Sequence, residues 1–133
     1  MTDERYEAGM RVRREVLGDA HVDAATERAT AFGAPFQEYI TRSVWGQIWT
    51  RDGLDRRTRS CVTLALLSAL HCENELPMHV RAALRNGLSA EEIGEVLLHT
   101  GAYAGVPAAN AALAIAERVL REEGALPEPD ARP

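Results

Sequence analysis

Apolar residues recur at helical spacing along nearly the whole chain, between regularly placed helix stops and starts, and no stretch shows the sustained alternation of a half-buried strand. That pattern restricts the fold to the all-α class, a bundle of six to seven helices. A first helix is expected over residues 3–17, ending at Gly18, with Asp19 capping a second helix that begins near Ala20. After a connector at residues 31–34, Pro35 suits the start of a third helix. Its Phe36, Ile40, Val44 and Ile48 form the expected core stripe, with Glu38, Arg42, Trp45 and Trp49 on the neighbouring stripe.

Asp52 and Gly53 make a turn, and Asp55 can cap a fourth helix running to about His71. Residues 61–67 of that helix are apolar on nearly every side, which places it at the centre. A fifth helix is expected over residues 75–86, with Asn74 as cap, Pro77 in the first turn and Gly87 as stop. Ser89 and Glu92 read as a capping box opening a sixth helix to about Tyr103. Pro107 starts an alanine-rich seventh that ends near Arg121. Its small side chains let backbones approach closely and leave more apolar surface than a small monomer hides, so self-association is expected. One domain over residues 1–124 fits the length of 133, and the three-proline stretch 125–133 reads as a disordered tail.

The longest apolar run falls well short of the roughly 20 residues that cross a bilayer, so no membrane span is expected. The balance of 20 acidic to 15 basic residues gives a net charge of -5, and there is no basic tract, so nucleic acid is a poor candidate partner. All 15 basic residues are Arg. Without a lysine, Schiff-base chemistry on a protein amine is excluded. Two cysteines, Cys61 and Cys72, and an N-terminus lacking an apolar signal core point to a reducing, cytoplasmic setting.

The densest chemical cluster is His71, Cys72, Glu73, Asn74, Glu75, Leu76, Pro77, Met78 and His79. Glu75 and His79 are four apart, so on a helix they share a face and can form an acid/base pair; a solvated surface pair is the alternative. The His spacing lacks the close pair of a helical zinc site, so no metal is assigned. Arg42 can hold a carboxylate bidentately against Trp45, or can pair with Glu38 and stack on Trp45 for packing alone. Arg56, Arg57 and Arg59 sit in a first helical turn, where cations are disfavoured. A bound anion explains them, and so does pairing with Asp52 and Asp55. His21, His71 and His99 read as capping, packing or surface residues.

Several blocks then fall into one order. Tyr6-Glu7-Ala8-Gly9 with Val12-Arg13-Arg14, Leu17-Gly18-Asp19-Ala20-His21-Val22, Trp45-Gly46-Gln47-Ile48-Trp49-Thr50-Arg51, Gly53-Leu54-Asp55-Arg56-Arg57-Thr58-Arg59-Ser60 and Gly105-Val106-Pro107-Ala108-Ala109-Asn110 together resemble the carboxymuconolactone decarboxylase family, over about residues 6–120. The resemblance implies an AhpD-like helical fold, a homohexamer, and cofactor-free decarboxylation of a lactone dicarboxylate, gamma-carboxymuconolactone, in the protocatechuate branch of the beta-ketoadipate pathway.

It also implies that Cys72, Glu75 and His79 map onto the C-x-x-C-x-x-x-H site of related alkylhydroperoxidases, with Glu75 in place of the second thiol. On that mapping His79 is the proton donor, oriented by Glu75; Arg42 or Arg59 holds a carboxylate, and Trp45 walls the pocket. A thiol peroxidase using Cys72, or a non-catalytic helical oligomer binding small acidic ligands, are the competing readings.

Overall fold

A computed structural model describes residues 3–129. Among these residues all regular structure is helical: α1 (Glu4–Leu17), α2 (Asp19–Glu27), α3 (Ala34–Ile40) continuing as a π-helical segment (Thr41–Ile48), α4 (Arg56–Ala69), α5 (Leu76–Arg85), α6 (Ala90–Ala104) and α7 (Val106–Glu122). The chain forms two compact units that divide between Arg56 and Arg57.

In the first unit, α1 lies against the π-helical segment. The Asp3 side chain caps α1 by accepting from the Arg5 and Tyr6 N–H groups, and Gly18 ends it at φ 89°, in the region open to glycine. Gly18, not Asp19, is the residue ahead of α2. Asp19 is already helical, and its carboxylate pairs with Arg14 at 3.0 Å, so it is unavailable as a cap. The two packed helices meet at glycines: a Cβ on Gly9 would overlap the Thr41 carbonyl oxygen, and one on Gly46 would overlap the Arg5 carbonyl oxygen.

That close seating overturns the expected core stripe. Phe36 and Ile48 are exposed and Ile40 only half-buried, whereas Thr41, Trp45 and Trp49 are buried. The close approach of Gly9 to the Thr41 carbonyl seats α1 on this side of the segment, so Thr41, Trp45 and Trp49 are covered. The Thr41 hydroxyl donates to the Gln37 carbonyl oxygen at 2.8 Å, which satisfies it within its own helix.

The second unit has its core where α4, α5, α6 and α7 meet, around Leu64, Leu76, Val80, Ile93, Leu97, Ala112, Ala116 and Val119. Ser89 and Glu92 form the complete capping box at the start of α6. The small residues of α6 and α7 pack tightly, and a Cβ on Gly101 would lie 2.9 Å from that of Ala109. The expectation that α4 sits at the centre, covered on all sides, does not hold within the chain. Only Ser60, Leu64 and Ser68 of α4 are buried, and Val62 and Leu66 on the opposite side are exposed.

Past α7, Ala125 and Leu126 pack on the core, and the Arg121 Nε donates to the Pro127 carbonyl oxygen at 3.3 Å. Residues 130–133 of the expected tail lie outside the described residues. No helix among the described residues is long and apolar enough to cross a membrane.

Candidate active site

The turn from α4 into α5 sets the local geometry of the His71 to His79 cluster. The Cys72 N–H reaches back to the Leu67 carbonyl at 2.8 Å and the His71 N–H to Ser68 at 3.1 Å. These two bonds make a Schellman ending, with His71 in the left-handed position at φ 57° where glycine is usual. His71 is therefore a helix-ending residue. The Glu75 N–H then bonds the Cys72 carbonyl oxygen at 3.3 Å, so residues 72–75 form a turn and α5 begins at Leu76. Asn74 lies inside that turn. Glu75 occupies the boundary position expected of Asn74, without a side-chain capping bond.

Pro77 falls in the first turn of α5, where it breaks no helical hydrogen bond. The His79 N–H bonds the Glu75 carbonyl oxygen at 3.2 Å, one helical turn on. Glu75 is exposed and His79 is half-buried, between the fully buried Leu76 and Val80. Cys72 is a free thiol, half-buried, facing the Leu70 carbonyl oxygen at 3.8 Å.

Arg59 is half-buried in the first turn of α4, beside buried Ser60. The Asn86 side chain donates to the Ser60 hydroxyl at 2.9 Å, so the start of α4 lies level with the end of α5. Seven residues of helix separate Asn86 from His79, about 10 Å along α5. Of the neighbouring arginines, Arg56 binds Glu15 at 2.8 Å, and Arg57 binds Glu92 and the Gly87 carbonyl oxygen. Glu92 thereby holds its carboxyl below the ordinary glutamate range, chiefly through the Ser89 N–H and then through Arg57.

Arg42 and Trp45 belong to the first unit. The Arg42 guanidinium is spread between Asp3 and Glu38, the latter at 2.8 Å. Trp45 is buried with its ring centroid 5.3 Å from that of Trp49, the planes tilted by 31°. Arg42 also lines a cleft of about 610 Å³ whose inner wall carries Arg13. In the sequence Arg13 stands out only as part of the Val12-Arg13-Arg14 block. Its signal was legible nonetheless, because it interrupts the otherwise apolar inner face of α1 formed by Gly9, Val12, Val16 and Leu17. No group of three or more His, Cys, Asp or Glu among the described residues is placed to hold a metal ion.

The family model for the carboxymuconolactone decarboxylase family matches residues 34–118. The 4-carboxymuconolactone decarboxylase of Acinetobacter baylyi is 49% identical over 129 residues, covering 96% of each chain. Nitrosuccinic acid decarboxylase npaB of Metarhizium robertsii is 38% identical over 117 residues, 88% of this chain and 82% of that protein. A 4-carboxymuconolactone decarboxylase sequence from Pseudomonas putida is 58% identical over 43 residues, 32% of this chain and 90% of its own length.

Proposed function

Because the chain belongs to the carboxymuconolactone decarboxylase family, we propose that it is a carboxy-lyase converting gamma-carboxymuconolactone to 3-oxoadipate enol-lactone and CO2 in protocatechuate catabolism. The observation that carries this reading is the 49% identity to the Acinetobacter baylyi enzyme across 96% of both chains.

The substrate supplies its own electron sink, since its ring carboxylate is vinylogously beta to the lactone carbonyl. The bond to CO2 breaks, its electron pair moves through the ring double bond into the carbonyl, and the resulting dienolate takes a proton at the carbon alpha to that carbonyl. Nitrosuccinic acid, named for the Metarhizium robertsii relative, likewise has a carboxylate beside an electron-accepting group. The protein's tasks are to bind the acid arms, to stabilise charge on the carbonyl oxygen and to deliver one proton.

In this reading His79 delivers the proton. Glu75, one turn before it at the start of α5, orients the imidazole. Arg59, on the adjoining α4 of the same unit, holds a carboxylate. In the first unit, Arg42 serves the substrate by exchanging Asp3 and Glu38 for a substrate carboxylate, and Trp45 supplies an apolar wall that favours loss of the leaving group's charge. Glu75 at the position of a second thiol weighs against the peroxidase reading of Cys72.

The family reading extends to a cytoplasmic homohexamer. It is supported by the exposed apolar side chains Phe36, Leu66, Leu70, Tyr103 and Val106, an unusual number to leave in water on so short a chain.

The test is CO2 release, together with loss of the conjugated lactone's ultraviolet absorbance, when purified protein meets freshly generated gamma-carboxymuconolactone with and without chelator. Fast turnover insensitive to chelator is expected. A rate no higher than the spontaneous one overturns the assignment, and nitrosuccinate would be the next substrate offered.

A further inference from the structure

We propose that the cleft of the first unit is a binding site for a small organic carboxylate, with Arg13 as the residue that receives it. Arg13 of α1 is 7% exposed and lines a cleft of about 610 Å³, bordered by Tyr6, Met10, Ala25, Gln37 and Thr41. A guanidinium carries five N–H donors. The protein answers with two uncharged acceptors at long range, the Thr41 hydroxyl oxygen at 3.4 Å and the Gln37 side-chain oxygen at 3.2 Å. The Arg13 Nε is buried with no acceptor among the described residues.

The charged groups around the cleft leave this cation uncompensated. Asp3 and Glu38 are both committed to Arg42, and Glu7 is exposed and forms no ion pair with Arg13. Burial accordingly pulls the Arg13 pKa down from its ordinary value. Tyr6 opposes that and Arg14 adds to it. A buried cation without a counter-charge is costly to keep, and side chains of this kind are found paired or bound to an anion. A planar carboxylate is the anion that a guanidinium holds best, through two parallel N–H bonds. The Met10 and Ala25 side chains offer apolar contact to a short carbon chain beyond it.

The cleft lies wholly within the first unit, and the proposed site does not depend on which reaction the protein catalyses. Isothermal titration calorimetry of the full-length protein with glutarate tests it, with dimethyl glutarate as the uncharged control. Saturable binding of glutarate alone is expected, weakened about tenfold or more in Arg13→Met, since a charge-assisted bond is lost. Ala25→Leu keeps the cation but fills the cleft, and should lose binding as well, so the result does not hang on one variant's folding.

Because glutarate also resembles the acid arms of the proposed substrate, and Arg42 borders the same cleft, the same titration is run in Arg59→Met and in Arg42→Met. Binding that persists in both but not in Arg13→Met supports the first-unit site, whatever the decarboxylase assay shows. Binding lost in either and kept in Arg13→Met overturns it, as does equal binding of the ester. If glutarate binds only after dilution has dispersed a self-associated form, the cleft takes a carboxylate of a second copy and the small-molecule proposal falls.

Discussion

His79 and Glu75 show how far side-chain spacing reaches and where it stops. Four residues apart, they were legible as one helical face, and α5 places them one turn apart with the histidine half-buried and the glutamate exposed. On the proposed mechanism, His79→Gln should lower kcat about 100-fold or more, the usual contribution of a positioned proton donor, with circular dichroism unchanged. Full turnover by that variant would remove His79 from the proton-delivery role. Arg42→Met should raise KM by about tenfold if the guanidinium takes a substrate carboxylate. Unaltered substrate affinity would leave that task to Arg59.

The ion pairs of Arg42 with Asp3 and Glu38 were half visible in advance, because Glu38 is four residues away whereas Asp3 caps a helix distant in the chain. Arg13 was harder to read, since a charge on an apolar face looks the same in sequence whether it snorkels to water or is buried.

At the scale of helices, glycine contacts and caps carry the stability. Gly9 meets the Thr41 carbonyl oxygen and the Gly46 backbone, neither of which can swing aside as a side chain end would. Gly9→Ala should therefore destabilise the protein by roughly 1–3 kcal/mol through overpacking, read as a drop in the midpoint of chemical denaturation.

The capping box at α6 gives a pH signature. The Glu92 carboxyl has a lowered pKa in the folded protein, so it favours folding above its ordinary value of 4.5, and this contribution disappears as the pH falls through the lower folded value. The melting temperatures of wild type and Glu92→Gln should thus differ at pH 7 and converge as the pH is taken below 4.5; a constant gap across that range would contradict the assignment. Both ends of α6 could be read from Ser89, Glu92 and Gly105, because caps act within a turn of the chain. The buried face of the α3 and π-helical stretch could not be read this way, because two rows of residues competed and the seating of α1 chose between them.

For the molecule as a whole, the apolar side chains left in water are the main clue to its working state. Val62 and Leu66 on α4, with Leu70 just beyond it, are exposed although the sequence marks that helix as apolar all round. A homohexamer predicts a scattering mass of six copies of the 14.6 kDa chain, and Leu66→Glu with Leu70→Glu should shift it to smaller species while leaving helical content intact. A monomeric mass for the unaltered protein at working concentration would refute the assembly.

From its own pattern the chain determined the all-helical class, most helix ends, the capping box and the family resemblance, because each depends on neighbours within a turn or two or on the order of motifs. Only the tertiary structure decided that Thr41, Trp45 and Trp49 face inward, that α4 buries a single side, that Arg56 and Arg57 pair with Glu15 and Glu92, and that Arg13 is enclosed without a counter-charge. Those outcomes depend on which surfaces approach from distant parts of the chain. Periodicity can say that a face is apolar, but not which helix will cover it or whether a charge will be enclosed with it.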